Sequence, residues 1–168
     1  MWAKSCTIIA LCCLSFLESS SVQSIRDMYV KAIESKKSTE QLLNILEKKE
    51  QTPFVIGYTG ATKMLMARHT FNPFKKLSHF RTGKQLLEKA ISKDAENVEL
   101  IFLRYAIQVS LPPILGYNEH IETDKNYILK TLQKQELKEK HLEIAIVNFL
   151  KKQQLAPAER QQLLKQYN

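Results

Sequence analysis

NVELIFLRYAIQVSLPPILG, residues 97–116, is the stretch whose reading decides the fold. From Val98 to Val109 it is apolar on nearly every side, the pattern of a helix buried around most of its circumference. Asn97 is a capping residue type at its start. Pro112 and Pro113 end it, because proline lacks a backbone donor and forces Leu111 out of helical geometry. A helix of this kind needs a shell, so it is expected to be the central, most buried element.

The flanking chain supplies that shell. Only four glycines and five prolines punctuate the sequence, and nearly all fall between segments with helical apolar spacing. Upstream, residues 22–34 place Ile25, Met28, Tyr29, Ala32 and Ile33 on one face. Ser38 and Gln41 form a capping-box pattern that predicts the opening of a second helix. Thr52-Pro53 and Asn72-Pro73 are each a cap followed by proline at the first helical position; the third helix reaches to about His69. The fourth carries Leu77, Phe80, Gly83, Leu87, Ala90 and Ile91 on one face. Downstream, helices are predicted from near Asn118, over 136–152, and from Pro157 to the C-terminus. No useful length alternates with period two. The expected class is all-α, a helical-hairpin array of about eight helices, tetratricopeptide-like or an irregular bundle.

The N-terminus predicts a compartment. Lys4 precedes an apolar run from Cys6 to Leu17, too short for a permanent membrane span and of the form of an export signal. Residues 1–24 are read as a cleavable signal, cut after Ser21 or Ser24, and 25–168 as one helical domain. Cys6, Cys12 and Cys13 all lie in the signal. Neither Cys12 nor Cys13 follows the small residue that lipidation needs. The exported chain would therefore have no disulfide, no thiolate nucleophile and no cysteine-based metal site. It would be periplasmic or secreted.

Charge is the strongest non-random feature. The formal net charge is +8, and no acidic residue occurs between Glu50 and Glu88, where Lys63, Arg68, Lys75, Lys76, Arg81 and Lys84 supply six positive charges. Phe71, Phe74 and Phe80 are interleaved with them. In an exported protein this mixture points to an anionic lipid surface, a glycan or an acidic protein, and no nucleic acid is expected. Helical spacing alone would instead place Phe74 and Phe80 with Leu77 in the core, leaving the lysines merely solvated.

Arg104 is the second candidate, a lone guanidinium in an apolar helix that shares a polar stripe with Asn97 and Gln108. It reads either as a structural salt bridge to Asp124 or Glu122, or as the anchor of a carboxylate or phosphate ligand. His120 and Asp124, four apart, share a helix face. They make an incomplete metal site unless His69, His79 or His141 arrives by folding. GYTGATK, 57–63, superficially resembles a phosphate-binding loop but lacks its spacing and its preceding strand. Gly57, Gly60 and Ala61 are read instead as a close approach of two helices. No catalytic triad, metal site or cofactor motif is recognisable.

Gly83, Leu87, Ala90 and Ala95 stand at the spacing of the second helix of a tetratricopeptide repeat, which this segment resembles, although the repeat has proline where Ala95 stands and no second copy is in register. Such repeats bind proteins or peptides. GYTGA (57–61), FNPFKKLSHF (71–80), LLEKAI (86–91), VELIFLR (98–104) and ILGYNEHIETDK (114–125) together resemble a family of small exported helical bacterial proteins with no assigned reaction. The expectation is a non-enzymatic exported binding or scaffold module for a protein or peptide partner, or an anionic envelope surface, with a groove between the third to sixth helices. The alternative is an anion- or lipid-binding protein or envelope enzyme using Arg104, His120 and Asp124.

Overall fold

Helical periodicity without strand signals produces what it should: a computed structural model describing residues 21–167 contains eight α-helices and no strand. They are α1 (21–34), α2 (Lys36–Glu47), α3 (Pro53–Arg68), α4 (Pro73–Lys93), α5 (Val98–Ser110), α6 (Ile121–Gln133), α7 (Lys140–Lys151) and α8 (Pro157–Tyr167), with one turn of 3-10 helix at Pro113–Leu115. Of residues 1–24, predicted to be an export signal, positions 1–20 with the three cysteines lie outside the described residues, and positions 21–24 open α1. Two compact units divide the chain between residues 86 and 87, within α4.

In the first unit α2 packs on α3. Ser35, in extended conformation, separates α1 from α2 and accepts a hydrogen bond from the Ser38 amide. It therefore caps α2 three residues before the predicted Ser38 start. Thr39 ties the break together by donating to the carbonyls of Ala32 and Ser35 at 2.7 and 2.9 Å.

Residues 55–62 of α3 are buried without interruption, so α3 is at least as enclosed as α5, expected to be the most buried. Small side chains permit this. The hydroxyls of Thr59 and Thr62 donate to the carbonyls of Val55 and Tyr58, both at 2.7 Å, and so enter the interior already satisfied. The phosphate-loop likeness dissolves here, since GYTGATK is mid-helix. A Cβ built on Gly83 of α4 would lie 2.6 Å from the Gly60 carbonyl oxygen and 2.6 Å from Met64 Cγ. Gly83 thus stands where α4 comes close to the backbone of α3. Phe80 is buried, but Leu77, expected in the same core, is 41% exposed and Phe74 83% exposed. Both sit in the opening turns of α4.

The second unit is built on Ile101 and Tyr105 of α5, Ile128 and Leu132 of α6, Leu142, Ile146, Val147 and Leu150 of α7, and Leu163 of α8. Asn97 caps α5 by accepting from the amides of Glu99 and Leu100, and Leu111 leaves the helix in extended conformation. α6 begins at Ile121 rather than near Asn118, because residues 119–120 form a turn ahead of it. α7 begins at Lys140 rather than at residue 136, after Gln135 takes a left-handed conformation (φ 55°). Tyr167 fastens α8 by donating to Glu143 Oε1 at 2.7 Å. Hydrogen bonds from Lys140, and then from Tyr167, hold the Glu143 carboxyl below its ordinary range.

Gly83→Ala tests the α3–α4 crossing. Alanine gains about 1 kcal/mol in helix propensity, yet the added carbon meets backbone. We expect a net loss of about 1–3 kcal/mol in urea unfolding; equal or greater stability would contradict the crossing.

Candidate functional site

Arg104 lies on the second turn of α5 and is buried. Its guanidinium reaches Asp124 through two parallel hydrogen bonds, Nε to Oδ2 and Nη2 to Oδ1, both 2.8 Å. Nη1 donates to Glu88 Oε2 at 2.7 Å. The other Glu88 oxygen accepts from the Tyr117 hydroxyl at 2.6 Å. Burial works against the Arg104 charge, but the hydrogen bonds and charges of Asp124 and Glu88 outweigh it and push its pKa up. Burial, followed by the bond to Glu88, raises the Tyr117 phenol well above its ordinary value.

Local structure delivers each partner. Asp124 stands in the first turn of α6, its amide bonded to the His120 carbonyl at 2.8 Å, where the helix dipole favours a carboxylate. Gly116 adopts φ +59°, a region that disfavours other residues, and turns the chain so that Tyr117 enters the interior. Glu122, considered with Asp124 as an Arg104 partner, pairs with Lys125 at 2.8 Å instead. Two carboxylates face one guanidinium, leaving the cluster with a net negative formal charge. An incoming anion would have to displace a carboxylate to reach Arg104.

His120 occupies the cap position of α6 and makes no side-chain cap bond. His69 lies 3.3 Å from the Ala32 carbonyl through Nε2. Among the described residues no three histidine or acidic side chains gather into a group able to hold a metal. Gln108 is buried, and neither its amide nitrogen nor its oxygen has a hydrogen-bond partner among the described residues.

The basic segment gives a different geometry. Lys63 is drawn to Glu47 at 3.2 Å, and Lys84 is half-buried. Arg68, Lys75, Lys76 and Arg81 are exposed. Phe71, in the α3–α4 connection, is fully exposed and Phe74 nearly so. With about 100° per residue, Phe74, Leu77 and Arg81 share one face of α4, with Phe74 on the side opposite Gly83. The corner presents aromatic surface ringed by cations.

No family model, no curated protein and no solved structure matches the chain.

Sequence reading had named Arg104 and Asp124 but missed Glu88 and Tyr117. Glu88 lies 16 positions from Arg104 and Tyr117 lies 29 from Glu88, separations at which local periodicity carries no signal. The left-handed Gly116 before Tyr117 was the one local sign.

Removing one partner of the buried pair should be costly. Arg104→Met is expected to lose about 3–5 kcal/mol in urea unfolding, and Arg104→Met with Asp124→Leu to regain much of it. Glu88→Gln should cost less, about 1 kcal/mol, since that side chain is 31% exposed. A fully stable Arg104→Met would remove the cluster from the structural core.

Proposed function

We propose that this protein is a non-enzymatic binding module, exported to the cell envelope, that engages an anionic partner through the α3–α4 corner. The observation that carries the reading is the coincidence of exposed Phe71 and Phe74 with exposed Arg68, Lys75, Lys76 and Arg81. None of these cations forms an ion pair among the described residues. Elsewhere lysines are engaged, as with Lys125 on Glu122 and Glu159 and Lys140 on Glu143. An exposed apolar patch rimmed by charge of one sign is the form of a recognition surface. The resemblance to small exported helical proteins and the predicted signal at residues 1–24 support the envelope setting.

The anion-anchor alternative at Arg104 is less well supported, because the guanidinium is already taken by two carboxylates. His120 adds no hydrogen bond to that cluster.

Reversing Lys75, Lys76 and Arg81 to glutamate should lower the salt needed to elute the protein from immobilised polyglutamate, with the fold unchanged by circular dichroism. Reversing the exposed Lys93, Lys130 and Lys152 changes net charge equally and should have a much smaller effect. Equal effects of the two triple variants would reduce the corner to general electrostatics.

A further inference from the structure

We infer that the α3–α4 corner is a membrane-docking tip, whose partner is the interface of an anionic lipid bilayer with Phe71 and Phe74 inserted among the headgroups. This rests on the proposed role of the corner as the binding surface and names what it binds.

Three observations support a lipid partner. Phe71 and Phe74 project without protein walls around them, one fully and one 83% exposed, and Leu77 continues the apolar stripe at 41%. Such a projection suits a fluid interface that closes around it. Part of the polar surface at the tip is satisfied from within. The Asn72 carboxamide oxygen accepts from the amides of Phe74 and Lys75 at 3.0 and 3.1 Å, and the Thr70 hydroxyl donates to the Met66 carbonyl at 2.6 Å. Burying this turn among headgroups therefore strands fewer hydrogen-bonding groups.

No carboxylate in residues 51–87 would meet the lipid phosphates. Arg68, Lys75, Lys76 and Arg81 lie at the tip or beside it, and their long stems let the charged ends stay at headgroup level while the rings go deeper. Each ring should contribute about a tenfold gain in partition or more, and each cation about fivefold.

The test uses the exported chain, residues 25–168, which contains no tryptophan, with Phe74→Trp as its single reporter. Vesicles of equimolar phosphatidylcholine and phosphatidylglycerol are compared with phosphatidylcholine alone, each with and without brominated acyl chains. The expected result is a blue shift and bromine quenching at position 74 on the anionic vesicles only, reversed by high salt. In parallel, Phe71→Ser with Phe74→Ser should lower partition onto anionic vesicles by about a hundredfold while retention on polyglutamate persists.

Vesicle binding without quenching at position 74, or binding indifferent to the serine variant, would overturn the insertion. Polyglutamate retention through Lys75, Lys76 and Arg81 with no anionic-vesicle signal would overturn the lipid assignment and leave the corner a binding surface for an acidic partner. Loss of both would overturn the lipid assignment and the proposed function together.

Discussion

A guanidinium buried in an apolar helix is stable only where its charge is answered, and the second compact unit is arranged around that requirement. Asp124 answers it with two parallel bonds and Glu88 with a third. The first constrains the opening turn of α6 against α5; the second fixes the closing turns of α4. Tyr117 completes the set by holding the free oxygen of Glu88, which pins the connection between α5 and α6. Apolar packing from Ile101 to Leu163 supplies most of the driving force, but it is not directional. The ion cluster is directional, and its bonds specify which carboxylates must stand beside α5.

The first unit uses a different device. α3 is enclosed through small side chains and hydroxyls bonded to their own helix, and α4 approaches it where Gly83 has no side chain. Close packing of this kind leaves no room for Phe71 and Phe74, which remain outside with the cations. The two units thus contrast in their use of charge. In the second, Arg104 is neutralised and interior; in the first, four cations that form no ion pair among the described residues are exposed beside aromatic rings.

The helices were legible because their ends are written in local chemistry. Thr52-Pro53, Asn97 and Pro112-Pro113 mark boundaries that the structure places as expected. Boundaries set by backbone conformation were not legible: Ser35 rather than Ser38 caps α2, and Gln135 delays α7. The composition of α5 foretold a buried helix, whereas α3 looked less apolar because threonine and glycine hide their suitability for burial. At the candidate sites the sequence indicated residue types and left geometry open. Arg104 needed a partner, yet only folding chose Asp124 over Glu122 and added Glu88. Phe74 and Leu77 fit a core face by spacing, and the opening turns of α4 leave them uncovered.

The central claim is that Arg104 serves the fold while the corner at residues 68–81 meets the partner. The most direct measurement is nuclear magnetic resonance of the isotope-labelled chain during titration with anionic bicelles, following backbone amides and the Arg104 Nε–H together. The account predicts that shifts concentrate in residues 68–81 and that the Arg104 signal stays slow to exchange and unmoved. A shift at Arg104 and His120 with an unchanged corner would contradict it.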